Sequence, residues 1–339
     1  MTTPLFGAER FFDFSKFEPN QPPPGFHSTV TGRGKPGDWK IILEDVPPTL
    51  PPLSPNAPSV TKRPVLAQLA RDPVDEHFPV LVFDEDVYED FTLTTRFKTV
   101  AGTVEQMAGI VFRYQDEKNY YVVRASSMGN TFRFYKFVDG VRSDPIGPKI
   151  EIPGNTWQEM SVECKGNQIH VFLNGKEAMP MMTDSSFMRG KIGFWTKSDA
   201  VSYFVDAKIV YKPIETLATV LVRDTLRRYP RLLGLRIYAK TERRQELHVV
   251  AADKPEDLGT AGGTVEEEVI QKDGLAYGKT SKSVVVTLPL HDRNGEPYAC
   301  VRITMATFPG QTENNAIARA TPIIKSMETR SRLPKDLTE

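Results

Sequence analysis

Arg113, Arg124, Tyr121, Tyr135, Trp195, Lys197 and Asp199 are the residues whose types and spacing could do chemistry in this chain. In Met107-Ala-Gly-Ile-Val-Phe-Arg-Tyr114 and Asn119-Tyr-Tyr-Val-Val-Arg-Ala125 the alternation has period two, which sets Arg113 and Arg124 on one strand face and apolar residues on the other. Planar donors bind hydroxyls and aromatic rings stack on the apolar side of a pyranose, so such a face suits a sugar. Gly193-Phe-Trp-Thr-Lys-Ser-Asp199 adds an indole, an ammonium and a carboxylate within five residues, with Trp195 as the expected stacking platform. On sequence alone the bland alternative stays open: both arginines are solvent-facing alternate residues of a sandwich, and Asp199 is a loop residue paired with Lys197.

No nucleophile stands beside a base near these residues, so recognition is expected rather than catalysis, with Asp199 the alternative base. The acidic run Asp84-Glu-Asp-Val-Tyr-Glu-Asp90 reads as a solvated turn between strands. The five histidines are scattered without metal-like spacing. No cofactor is expected; calcium is the alternative this fold class admits, although the acidic residues lack ligand-loop spacing. Cys164 and Cys300 fall in different strand-like regions and read as two buried thiols.

The elements that must position these groups are short strands. Segments 78–83, 91–97, 107–114, 119–125, 131–137, 157–164, 168–173 and 191–194 alternate with turn chemistry at Asp139-Gly140, Lys165-Gly-Asn167 and Asn174-Gly175. Many strands at short spacing without helical pattern predict a sandwich or jelly roll ending near Tyr211. Of 27 prolines, three lie at Pro22 to Pro24 and six between Pro47 and Pro58, which predicts loops there. The Pro48 to Pro51 spacing also matches a docking ligand for SH3-type domains.

After Lys212-Pro213 the pattern changes. A helix over 216–229 is followed by strands at 232–239, 246–252, 283–290 and 298–305 and a closing helix over 315–330, an α+β arrangement. Gly259-Thr-Ala-Gly-Gly263 reads as a flexible pocket-lining loop. Tyr238, Asp253 and Tyr277 are expected to line a small-molecule pocket between the sheet and that loop.

Lys plus Arg and Asp plus Glu are each 43, a formal net charge of zero, so nothing argues for nucleic acid or an anionic membrane as partner. Apolar runs such as 284–290 fall short of the roughly 20 residues of a membrane span. The first ten residues lack a basic stretch followed by an apolar core. The expected location is cytoplasmic, or extracytoplasmic where Met1 replaces a removed leader.

Ala108-Gly-Ile-Val-Phe-Arg-Tyr-Gln-Asp116, Asn119-Tyr-Tyr-Val-Val-Arg124, Val171-Phe-Leu-Asn-Gly175 and Gly193-Phe-Trp-Thr-Lys-Ser-Asp199 resemble the concanavalin A-like, laminin G-like jelly rolls of the bacterial family that includes 3-keto-disaccharide hydrolases. The resemblance spans roughly residues 10–211 and implies a two-sheet sandwich whose concave face holds a carbohydrate. The paired-carboxylate motif of laminarinase-type jelly rolls is absent, and hydrolysis of a modified glycoside is kept as the alternative function. The segment 284–303, with Pro-Leu-His-Asp-Arg-Asn-Gly at 289–295, resembles the hairpin of Cache domains, PAS-like small-molecule sensors, over about residues 216–330.

The expected protein is mainly β: a jelly-roll domain at 1–213, a Cache/PAS-like α+β domain at 214–333 and a tail at 334–339. It binds or senses a carbohydrate without transforming it, with a small-molecule ligand in the second domain. A scaffold that homodimerises through the helices of its second domain is the remaining alternative.

Overall fold

Asp139 and Gly140 both take positive φ (51° and 80°), as do Asn174 and Gly175 (49° and 73°). Two consecutive left-handed residues make the type I′ turn, whose twist matches that of the strands it joins. The first pair closes Thr131–Val138 onto Val141–Arg142, and the second closes Gln168–Leu173 onto Lys176–Glu177. The computed structural model describes residues 7–49, 59–241 and 244–337. They fall into two units, Met1–Ile214 and Glu215–Glu339.

The first unit is a mainly β sandwich of the jelly-roll type. One sheet has seven strands in the order Val141–Arg142, Thr131–Val138, Asn119–Ser126, Met107–Asp116, Gly190–Trp195, His77–Tyr88, Phe26–Gly32. The other has nine, and Phe91–Ala101 and Val201–Tyr211 lie side by side at its centre. Between the sheets lie Phe112, Tyr121, Phe134 and Phe194 from the first, and Phe97, Val162, Phe204 and Ile209 from the second. Each such side chain stabilises the fold by about 1.5–3 kcal/mol. Cys164 belongs to this core, and burial pushes its thiol up to about 12.

One sequence expectation does not hold in this unit. The acidic run is not a turn between strands, because Asp84 to Tyr88 complete the strand His77–Tyr88, and Tyr88 pairs in register with Gly190. Neighbouring cations make that placement tolerable: Arg10 reaches Glu85 at 2.8 Å and Asp86 at 2.7 Å, and Lys191 reaches Asp84 at 2.7 Å. Pro22 to Pro24 do lie in a loop, whereas the Pro48 to Pro51 docking candidate runs outside the described residues.

The second unit carries a five-stranded antiparallel sheet in the order His248–Ala252, Leu232–Ala239, Pro297–Ala306, Ser283–His291, Ala276–Lys279. Helix α1 (Leu217–Arg228) starts where the Thr216 hydroxyl accepts from the Thr219 N–H. Helix α2 spans Thr264–Gln271 and α3 spans Glu313–Glu328. Leu221 and Val222 of α1 and Ala320, Ile323 and Ile324 of α3 pack with Ile237, Val286, Val301 and Ile303 on one sheet face. On the other face Val269 of α2 packs with Tyr238, Val249 and Cys300.

Helix α2 was not expected from the glycine-rich reading. Its start is stabilised by Glu266, whose carboxylate accepts from the Gly263 N–H at 3.0 Å, so the glycines precede a helix rather than line a pocket. Residues 334–337 are likewise no tail, because Pro334–Leu337 form a 3₁₀ turn that buries Leu337 fully in the α1/α3 core. Among the described residues, no helix is long and apolar enough to cross a membrane.

His291 ties this unit together. Its Nδ1 lies 2.7 Å from Glu328 on α3 and its Nε2 lies 2.7 Å from Asp273 after α2. Partial burial opposes its charge, but the hydrogen bonds its ring N–H groups donate to the Glu328 and Asp273 carboxylates outweigh that and raise its pKa above the ordinary value. A raised folded pKa makes the contribution complete below about pH 6.5 and lost as pH climbs through the folded value. His291→Gln is therefore expected to lower stability by about 1 kcal/mol near pH 5.5 and by almost nothing near pH 9, read from thermal melts at both values. A fragment of residues 1–214 is expected to unfold in one cooperative transition, because the sandwich core is complete within it. A broad, non-cooperative melt of that fragment would contradict the division.

Candidate functional site

The seven-stranded sheet buries both faces. Period-two alternation sends Tyr121 and Phe134 into the inter-sheet core and Tyr120, Tyr135 and Phe137 to the outer face; Phe112 also faces the core, and the bulge after it turns Tyr114 outward, where Phe78 and Trp195 complete a second cluster. There Trp195 stacks on Phe78 at 5.6 Å and Tyr120 stacks on Phe137 at 4.6 Å. The Tyr120 hydroxyl donates to Thr31 Oγ1 at 2.9 Å, and burial pushes its pKa well above the ordinary phenol value.

This packing overturns several sequence-predicted roles. Trp195 is 1 % exposed, so no ring face is open for a sugar to stack on. Arg113 is fully buried at a β-bulge, with a φ of 47° that turns it out of the alternation. Its guanidinium donates to the carbonyls of Phe187 (3.0 Å), Glu89 (3.3 Å) and Gly166, which makes it a brace for three loops rather than a ligand contact. Tyr121 faces the inter-sheet core, and its hydroxyl donates to Asp184 at 2.5 Å.

Asp199 is committed to a turn. Its carboxylate accepts from the backbone N–H groups of Thr103 (2.6 Å), Val104 (3.0 Å) and Glu105 (2.9 Å) and from the Thr103 hydroxyl (2.8 Å). Burial would raise its pKa, but these donors hold it down at about 2. A carboxylate so occupied is neither a base nor an acid near neutral pH, and the alternative catalytic role for Asp199 falls. It does not pair with Lys197, whose ammonium instead reaches Asp75 at 2.6 Å and Glu105 at 3.0 Å.

The remaining predicted residues meet at the rim of the outer aromatic face. Arg124 donates to the Tyr135 hydroxyl at 2.9 Å and to the Thr131 hydroxyl at 2.5 Å, while its Nε is buried with no partner. Arg142 lies over the rings of both Phe78 (5.3 Å) and Tyr135 (5.2 Å) and approaches Glu76 at 3.5 Å. The sequence reading missed Arg142. The signal was available, because the two-residue Asp139-Gly140 turn sets position 142 opposite Phe137, which faces outward. The rim thus offers guanidinium forks and one ammonium, suited to hydroxyl or anionic groups.

The predicted pocket of the second unit does not assemble as expected. Tyr238 is buried against α2, whereas Tyr277, on a different strand, packs on the opposite, α1/α3 face. Asp253 lines a cavity of about 480 Å³, together with Gly234, Arg236, Lys254, Asp257, Arg302 and Thr304. Among the described residues, no group of three or more His, Cys, Asp or Glu side chains is arranged to hold a metal ion.

Trp195→Ala is expected to cost about 3–5 kcal/mol of stability, the scale of an emptied aromatic site, rather than to act on a ligand alone. Chemical denaturation of the purified variant measures this, and a loss below about 1 kcal/mol would mean that the ring is not a packing residue.

Residues 59–210 match the model of a family described as the 3-keto-alpha-glucoside-1,2-lyase-like domain. None of the curated proteins matches the chain. Among solved structures, a carbohydrate-binding module of Bacillus subtilis is 20 % identical, with 50 % of this chain and 94 % of that one covered at a TM-score of 0.37. The galectin LEC-6 of Caenorhabditis elegans is 11 % identical over 37 % of this chain and 84 % of that one, at a TM-score of 0.29. The stretch matched by the family model lies wholly inside the sandwich and carries the strands that present Arg124, Tyr135, Arg142 and Trp195.

Proposed function

We propose that the first unit binds a carbohydrate, without transforming it, at the rim of the outer face of its seven-stranded sheet. The observation that carries this reading is Arg142 lying across Phe78 and Tyr135, beside Arg124 and within reach of Glu76. Guanidinium forks bind vicinal hydroxyls, and the Arg142 side chain, 31 % exposed, leaves its outer edge to water. The match of residues 59–210 to a glucoside-lyase-like domain supports a sugar as the ligand class. Binding is favoured over catalysis because Asp199 is used up in its turn and Glu105 is neutralised by Lys197. The second unit is read as a Cache-like, PAS-like ligand module, supported by its antiparallel five-stranded sheet with a cavity against one face.

The test is a glycan array on the full chain, followed by calorimetry on the best ligand. Arg142→Ala is expected to weaken binding by about 1–3 kcal/mol while the thermal midpoint stays within about 2 °C of the parent. An array without a hit, or an affinity unchanged in the variant, removes the reading. Release of a keto sugar from a 3-keto-α-glucoside would replace binding by catalysis.

A further inference from the structure

Arg236 and Arg302 stand directly opposite each other on the neighbouring strands Leu232–Ala239 and Pro297–Ala306. Like charges at facing positions of an antiparallel pair destabilise it unless something offsets them. Each arginine here has one carboxylate: Arg236 reaches Asp257 at 2.8 Å, and Arg302 reaches Glu266, which is 2 % exposed at the start of α2. Neither guanidinium is used up by one acid, because a fork has five donors. The Arg302 Nε is buried with no hydrogen-bond partner, and both arginines line the cavity of about 480 Å³.

The cavity's shape and charge point the same way. Gly234 faces Thr304 in register and lies two residues before Arg236 on the same side of the strand. A Cβ at Gly234 would meet Thr304 Cβ at 3.5 Å and Asp253 Oδ1 at 3.7 Å, so the missing side chain is what leaves the floor open. The lining holds Arg236, Lys254 and Arg302 against Asp253 and Asp257, three cations to two carboxylates. One of those carboxylates is already engaged, since Asp253 Oδ1 accepts from the Leu235 N–H at 2.8 Å. Glu266 sits outside the lining, behind Arg302.

We propose that this cavity is a binding site for a small molecule bearing an oxyanion, a carboxylate or a phosphate, gripped between the facing guanidinium groups of Arg236 and Arg302 with Lys254 at the mouth. A planar fork on each side matches the oxygens of either group, and the bound charge relieves the like-charge contact that the strand register imposes. The inference rests on the cavity and its charges, independently of the carbohydrate reading of the first unit and of any family kinship of the second.

The test is titration calorimetry of the full chain with inorganic phosphate and, separately, with succinate. One of the two is expected to saturate at one site per chain, and which one does so separates phosphate from carboxylate ligands. The Cβ of Gly234→Val meets Thr304 and Asp253 at ordinary van der Waals distances, and valine suits a strand, so the variant is expected to fold and, with its methyl groups on the floor, to abolish binding. Arg236→Gln and Arg302→Gln are each expected to weaken binding at least about tenfold, with Arg302→Lys recovering only part of it because the fork is lost. Thermal melts of each variant separate lost affinity from lost folding, and glycan binding should be untouched in Gly234→Val. Failure of both anions to bind, or affinity unchanged in Gly234→Val and Arg236→Gln, overturns the proposal.

Discussion

A seven-stranded sheet that is dry on both faces is the constraint on which the first unit depends. Burying one face needs only the partner sheet; burying the second means that every polar group along these strands must find a partner inside the protein. The chain meets much of this demand group by group, although Arg113 Nε, Arg124 Nε and Trp195 Nε1 stay buried without a partner. Arg113 leaves the alternation at a bulge and spends its donors on three loop carbonyls. Tyr120 reaches Thr31 across the sheet edge, and Asp199 collects three backbone N–H groups that the 103–105 turn would otherwise leave unpaired. These residues look functional in type, yet low dielectric turns them into structure, since an unpaired charge there would cost several kcal/mol.

The same constraint says where recognition can occur. At the rim Arg142 keeps part of its surface in water, while Arg124 and Lys197 lie buried beside it above the aromatic cluster. A ligand at that rim would exchange hydrogen bonds with water at little net cost, whereas one reaching Trp195 would have to break a stacked core. The second unit solves the problem differently. Its sheet is covered by α1 and α3 on one face but only in part by α2 on the other, and the uncovered portion, floored by Gly234, is where facing arginines persist.

Much of the architecture was legible in the residues. The turns at Asp139-Gly140 and Asn174-Gly175 require left-handed backbone that Asp, Asn and Gly tolerate, so strand ends and pairing followed from local chemistry. Alternation identified the main strands between Phe78 and Phe194, most of those of the second unit and the mainly β class, but not Phe26–Gly32, Trp39–Val46, Thr61–Gln68, Val201–Tyr211 or Ala276–Lys279. It could not say which of two faces meets water, because a strand buried on both sides alternates between large apolar and amphipathic residues much as a half-exposed one does. That ambiguity misplaced Trp195, Arg113 and Tyr121. Helix α2 was hidden for another reason: eight residues with charged positions 266–268 carry little periodic signal, and its stability comes from Val269 packing and from Glu266 bonding to Gly263.

What the sequence determined by itself was therefore local: turn types, strand alternation, the change of pattern after Pro213, and the want of paired carboxylates in a catalytic motif. The tertiary structure alone decided partnership. Asp199 binds a turn 94 to 96 residues away, Arg302 faces Arg236 across a strand pair, and Arg142 crosses rings from two other strands. Such contacts depend on sheet order and on which faces are dry, quantities set by the packing of the whole chain. A side chain's type states what it can bond to; only its surroundings state what is left for it to bond.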